Sequence, residues 1–286
     1  MTRTFADHSY RVPDGLRLRA RIYEGASDRL PLLCMHGLTR NSADFEPLLD
    51  HLTEWPAISV DQRGRGRSAH DPDPERYRPD VYCADMLAML DGLGLEQVIA
   101  VGTSMGGLMS LMLAAMRPRL FAGIIINDIG PAVDPAGLAR LAGYVGQDME
   151  FDDWASAEAS IKAQGAQIFT DFGAQDWADF ARRVCEQGTD GRVRFAYDPA
   201  IADGLRGGDA SAVPPDLWSL WDGMGTVPTL VLRGQTSDIL SAETAERMVA
   251  THPLATLVTI PGRGHAPILD EPAAVDAIRS FLRELS

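Results

Sequence analysis

The reactive side chains and the backbone signals of this chain coincide at Gly102-Thr103-Ser104-Met105-Gly106. This G-x-S-x-G follows the apolar run Val98 to Val101 directly and leads into a stretch, Met105 to Met116, with helical spacing. The serine therefore falls on a strand-to-helix turn, the setting a nucleophile elbow requires. So sharp a turn strains the backbone at Ser104 and leaves no room for side chains at Gly102 and Gly106. In return the hydroxyl is exposed at a helix N-terminus, where the Met105 amide and the helix dipole can stabilise an oxyanion. A phosphate cradle is the competing reading of the same glycines, but GTSMGG lacks the P-loop lysine and the G-x-G-x-x-G spacing.

A hydroxyl near neutral pH attacks only with help: an imidazole within hydrogen-bond reach, and a carboxylate to fix its tautomer. Beyond Ser104 the histidines are His252 and His265. His252 precedes Pro253 in a helix-to-strand connection and reads as a surface residue. His265 sits in Pro261-Gly262-Arg263-Gly264-His265-Ala266-Pro267, a Gly-rich loop just after the last apolar run. Two carboxylates follow strand-like runs, Asp128 after Ala122 to Ile126 and Asp238 after Val227 to Leu232, while Asp270 and Glu271 open the final helix and suit its N-terminal cap.

The elements that must position these groups are readable from pattern. His8 to Val12 and Arg17 to Glu24 are β-type runs around the turn Pro13-Asp14-Gly15, an antiparallel hairpin. The short apolar runs Pro31 to Met35, Pro56 to Val60, Gln97 to Val101 and Ala122 to Ile126 suit central parallel strands covered on both faces. Helices are expected at Val81 to Gly92 and Met105 to Met116, with Met109, Met112, Leu113 and Met116 as packing residues. Residues 131–225 lose the strand-helix alternation and read as an Ala-rich helical insertion; Thr256 to Ile260 and a helix from Pro272 then complete an α/β plan.

The 286 residues are 45% apolar and 23% charged, as in an ordinary globular protein that buries one large core. A formal charge of −14 argues against nucleic-acid binding, which needs a positive field, despite the local Arg63-Gly64-Arg65-Gly66-Arg67. Cys34, Cys83 and Cys185 form neither a disulfide framework nor a metal-binding cluster. With no signal-peptide h-region, and no run approaching the roughly 18 apolar residues of a membrane span, a cytoplasmic protein is expected. Oligomeric state is not encoded in any visible pattern.

His36-Gly37 after the third strand, Asp61-Gln62-Arg63-Gly64-Arg65-Gly66-Arg67-Ser68 after the fourth, and then the elbow resemble the α/β-hydrolase superfamily over essentially the whole chain outside the insertion. The resemblance implies an eight-stranded, mostly parallel sheet with helices on both faces and a helical cap after the sixth strand. Its core domain would span 1–130 and 226–286, and its cap 131–225. Ser104 becomes the nucleophile, His265 the base, and Asp238 the orienting acid, with Asp128 as the rival because some relatives carry the acid there. The backbone N–H groups of Leu38 and Met105 become the oxyanion donors, each worth about 3 to 4 kcal/mol of transition-state stabilisation. His36 and Gly37 hold that loop, Gly102 and Gly106 the elbow, and Asp61 and Arg63 buttress the site.

A serine rather than an aspartate at position 104 removes the alkyl-ester chemistry of dehalogenases and epoxide hydrolases and leaves acyl chemistry, with a small acyl substrate and water and without metal or organic cofactor. The leading expectation is hydrolysis of a small, apolar or aromatic carboxylic ester or lactone. Carbon-carbon hydrolysis of a ring-fission vinylogous diketone, a small-molecule receptor with an idle triad, and cofactor-free oxygenation are the alternatives. The aromatic residues of the insertion, Phe151, Trp154, Phe169, Phe172, Trp177, Phe180, Phe195, Tyr197, Trp218 and Trp221, are expected mostly to pack a small helical lid, with about one in four lining the pocket. No Arg-lined anion pocket is expected; Arg140, Arg182, Arg183 and Arg206 read as solvated.

Overall fold

The computed structural model describes residues 3–147, 149–203 and 217–285. Strands β1 (Ala6–Arg11) and β2 (Arg17–Tyr23) form the expected hairpin, and Gly15 in its turn takes φ of 89°, a left-handed conformation open to glycine. There follow β3 (Leu32–Met35), α1 (Glu46–His51), β4 (Ala57–Asp61), α2 (Pro79–Gly92), β5 (Val98–Thr103), α3 (Met105–Met116) and β6 (Phe121–Asn127). Between β6 and the next strand of the main sheet lie α4 (Pro135–Tyr144), β7 (Glu150–Phe151), α5 (Trp154–Gly165), α6 (Ala174–Val184), β8 (Cys185–Gln187), β9 (Val193–Phe195) and α7 (Leu217–Gly223). The chain ends on β10 (Thr229–Gly234), α8 (Ala242–Thr251), β11 (Ala255–Ile260) and α9 (Pro272–Glu284).

The main sheet has eight strands in the order β1-β2-β4-β3-β5-β6-β10-β11. From β4 to β11 all pairings are parallel, and β2 joins β4 antiparallel. Every residue of β3, β4 and β5 is buried, which explains why these strands read as continuous apolar runs. Side chains alternate between two cores, as strand geometry demands. Val98 and Ala100 pack with α2 and α3, whereas Ile99 and Val101 pack with Leu48 and Leu49 of α1 and Ile278 and Leu282 of α9. Each such fully buried aliphatic side chain contributes roughly 1.5 to 3 kcal/mol. Of the α3 methionines only Met109 is fully buried; Met116, at the last turn, is half exposed.

The segment between β6 and β10 is not purely helical. Its three short strands form an antiparallel sheet in the order β7-β9-β8. Strands of two or three residues are too short to show a period in the sequence. The segment carries its own core, in which Trp177, Phe180, Ala181 and Val184 form the buried stripe of α6 and meet Phe169. Arg206, expected to be solvated, lies outside the described residues.

His252 departs from its expected surface position. It is buried, its ring lies 5.0 Å from that of Trp221 in α7, and Nδ1 accepts the Leu254 N–H at 3.2 Å. The reason is tertiary: α7, at the end of the insertion, covers the connection that holds His252.

Candidate active site

Ser104 occupies the turn from β5 to α3 with φ of 51° and ψ of −114°, outside the ordinary regions for a side-chain-bearing residue. The turn is clamped from three sides. The Ser104 N–H donates to Asn127 O at 2.9 Å, and the Gly107 N–H donates back to Ser104 O at 2.8 Å. A β-carbon at Gly102 would stand 2.4 Å from Gly106 O, and one at Gly106 would stand 1.9 Å from Met35 O. Glycine is thus a steric requirement at both positions.

His265, in the loop after β11, brings Nε2 to 2.9 Å from Ser104 Oγ. Its Nδ1 lies 2.9 Å from Oδ2 of Asp128, which is fully buried and immediately follows β6. A carboxylate at Nδ1 holds the proton there and leaves Nε2 as the acceptor facing the serine hydroxyl. Asp128 has φ of 58°, a left-handed conformation that Asp tolerates better than most residues. Its second oxygen accepts the Gly234 N–H at 2.8 Å.

Asp238, expected beside His265, is elsewhere. Both its oxygens are taken by Arg140 of α4, from Nε at 2.5 Å and Nη2 at 2.9 Å. This pairing holds the Asp238 carboxyl below its ordinary pKa range. The loop after β10 is drawn against α4, where a β-carbon on Gly137 would stand 2.2 Å from Asp238 O. The rival carboxylate, Asp128, holds the place beside the imidazole.

Several supports had no sequence signal. The Asn127 side chain donates to Thr103 Oγ1 at 3.1 Å and to Pro267 O at 2.8 Å, which ties the elbow to the His265 loop. Glu271 stands at the N-cap of α9 without a side-chain cap bond; it accepts instead from Arg263 Nε at 2.7 Å and from the N–H groups of Ile268 and Leu269. The expected cap is thus a brace beneath the same loop, because Arg263 is buried and needs a carboxylate partner.

On the other side of Ser104, His36 is fully buried; Gln62 N–H donates to its Nε2 at 3.1 Å, so Nδ1 carries the proton and bonds Gly37 O at 2.6 Å. Burial pushes the His36 pKa down to about 3, which keeps the ring neutral in this role. Gly37 borders the nucleophile, since a β-carbon there would lie 3.6 Å from Ser104 Cβ. Arg65 Nε donates to Leu38 O at 2.9 Å and fixes the peptide that follows. Asp61 accepts the N–H groups of Ser42 and Arg67. Arg63 binds Asp85 through two N–H groups at 2.7 and 2.6 Å, and also Asp71 and Asp14. Burial works against the Arg63 charge, but its hydrogen bonds to these carboxylates outweigh it and raise its pKa.

A cavity of about 130 Å³ opens on Ser104 and His265, with Leu38 and Thr39 on one wall and Phe169, Phe180, Phe195 and Tyr197 of the insertion on another. Arg40, Asp44 and Arg140 also line it. Arg140 is therefore an ion-paired wall residue, not a solvated one. Arg182 and Arg183 border a second cavity together with Asp176, Asp179 and Asp270. Among the described residues no three His, Cys, Asp or Glu side chains converge as metal ligands, and no helix is long and apolar enough to cross a membrane.

The family model for the alpha/beta hydrolase fold matches residues 31–272. The chain is 32% identical over 256 residues to a 3-hydroxybutyrate-oligomer hydrolase of Cupriavidus necator, covering 87% of each chain. It is 31% identical over 270 residues to a 2-(acetamidomethylene)succinate hydrolase of Mesorhizobium japonicum, covering 91% of this chain and 90% of the other. The crystal structure of an alpha/beta hydrolase from Novosphingobium aromaticivorans superposes with a TM-score of 0.94 at 42% identity over 99% of both chains. An eight-stranded sheet with a strained serine between β5 and α3, matched by these relatives over nearly its full length, makes the chain a member of the α/β-hydrolase fold family of hydrolases.

Proposed function

We propose that the chain is a serine hydrolase that cleaves small carboxylic esters through an acyl-enzyme on Ser104, with His265 as general base and Asp128, rather than Asp238, as the acid that orients it. The observation that carries this reading is the pair of 2.9 Å contacts that place one imidazole between a strained, cavity-facing serine and a fully buried carboxylate. Ser104 Oγ attacks the ester carbonyl while Nε2 takes its proton, and the negative charge of Asp128 favours the imidazolium that forms. The tetrahedral oxyanion accepts hydrogen bonds from the N–H groups of Leu38 and Met105, the second a helix-start donor without an intrahelical partner. Imidazolium then protonates the leaving alcohol. Water, deprotonated by the same nitrogen, attacks the acyl-enzyme and releases the acid.

We further propose that residues 131–225 act as a cap, because this segment supplies much of the cavity wall opposite the sheet. Short acyl groups fit the small apolar space beside Ser104. The relative named a 3-hydroxybutyrate-oligomer hydrolase matches along most of both chains and favours esters of small hydroxy acids over lipids. A fluorophosphonate probe is expected to label Ser104 and to fail on Ser104→Ala, and an unlabelled, folded protein would overturn the hydrolase reading. Graded esters and lactones assayed beside a ring-fission diketone separate ester from carbon-carbon cleavage.

A further inference from the structure

Arg40 lies two residues past Leu38, and ester cleavage as proposed makes no use of its charge. Its N–H closes the loop onto Gly37 O at 3.2 Å. Its Cγ lies 3.8 Å from where a Gly37 β-carbon would stand, a point itself 3.6 Å from Ser104 Cβ. The side chain then runs along the cavity wall, 20% exposed, with the guanidinium over the Phe180 ring at 4.2 Å.

Its polar contacts are incomplete. Nη1 comes within 3.3 Å of Asp44 Oδ1, but without hydrogen-bond alignment, and this buried nitrogen finds no hydrogen-bond acceptor among the described residues. Arg140, the other arginine on the wall, differs, since two of its nitrogens already donate to Asp238. The Tyr144 phenol, also on the wall, lies in the field of both guanidinium groups. A buried donor without an acceptor costs free energy comparable to a lost hydrogen bond. An arginine in that condition, facing the space where substrate must sit, is matched in charge and geometry to a carboxylate.

We infer that Arg40 is a specificity determinant that binds a carboxylate on the substrate, so that the preferred esters are anionic. This rests on the ester-hydrolase reading and narrows it to two sources of the same group: a monoester of a dicarboxylic acid, with the charge on the acyl side, or an ester of a hydroxy acid, with the charge on the alcohol side. The Phe180 ring covers the guanidinium at 4.2 Å and shields it from water, which strengthens the contact.

The test compares each acid with its own methyl ester. Mono-p-nitrophenyl glutarate and its methyl ester probe the acyl side; 3-butyryloxybutyrate and its methyl ester probe the alcohol side. In the unaltered enzyme one pair is expected to show a kcat/KM preference for the free acid, carried by KM. In Arg40→Gln that preference falls at least tenfold, and Arg40→Lys, which keeps the charge without the fork, lies between. An unchanged preference in both pairs overturns the inference, as does an equal loss of kcat on acids and methyl esters, which would mark Arg40 as a support of the Leu38 loop alone. Calorimetry on Ser104→Ala with 3-butyryloxybutyrate, glutarate monoester and their methyl esters reaches the same decision without turnover: one acid must bind at least tenfold more tightly than its methyl ester. Fluorophosphonate labelling keeps the two readings apart. Labelled Ser104 without carboxylate preference sinks only the role of Arg40, and carboxylate-selective binding by an unlabelled protein sinks only ester hydrolysis.

Discussion

Replacing Asp128 by Asn and, separately, Asp238 by Asn discriminates between the two carboxylates on magnitudes set by their surroundings. Asn is the right probe at position 128 because it tolerates the φ of 58° and its Oδ1 can still accept the Gly234 N–H. What it loses is the charge 2.9 Å from His265 Nδ1, in a fully buried position. It also presents an NH2 donor there, which favours the tautomer with its proton on Nε2, the wrong one for a base. In the worked serine-protease case such a change lowers kcat by about 10⁴, or roughly 5 kcal/mol. Asp238 is 37% exposed and bound to Arg140, and a partly exposed ion pair is worth about 0 to 1 kcal/mol, so its loss should cost no more than about tenfold. The expected ratio of kcat between Asp238→Asn and Asp128→Asn is therefore about 10³ or more. Turnover of p-nitrophenyl butyrate, normalised to fluorophosphonate-titrated sites and accompanied by thermal melts, measures it. Equal losses, or a greater loss at Asp238, would refute the assignment of Asp128.

His36 is neutral in the fold, with a pKa near 3, against an unperturbed value of about 6.5. Between these values the unfolded chain binds the extra proton, so stability falls as pH drops, by about 1.4 kcal/mol per pH unit for this group; free energies of urea unfolding from pH 6 to 4 should show a slope that His36→Gln reduces by about that amount, and an identical slope in the variant would contradict it. Arg63→Met leaves Asp85 and Asp71 buried without their cation and is expected to cost about 3 to 5 kcal/mol in urea unfolding. A loss below about 1 kcal/mol would mean that water or a rearranged side chain replaces the guanidinium.

Ser104 was legible because its turn imposes steric conditions that only a Gly-flanked strand-to-helix junction meets, and these appear directly in the letters around it. His265 was legible because it follows the last strand in a Gly-rich loop. The acid was not. Strands β6 and β10 are neighbours in the sheet, so Asp128 and Asp238 both follow strand ends at the same edge, and chain order cannot say which one turns inward. That choice depends on Arg140, a residue of the insertion that claims Asp238. Arg40 escaped notice for the same kind of reason: its burial depends on Phe180, some 140 residues away. The burial of His252 and the bracing role of Glu271 were not legible because the groups that enclose them, Trp221 and Arg263, come from other elements.

The clamp at the end of β6 has a mechanical consequence. Asn127 O holds the Ser104 amide, the Asn127 side chain holds Pro267 just past His265, and Asp128 holds His265 itself. Nucleophile and base are thereby registered to one dipeptide, and a displacement of that dipeptide carries both together. The loop beyond Gly234 is shared: Gln235 and Thr236 bond Ile260, Gly262 and Arg263 on the way to His265, and Asp238 is latched to α4 through Arg140. The latch between Asp238 and α4, rather than Gln235 or Thr236, is thus the place where this scaffold would accept redesign of its opening with its reactive atoms left in register.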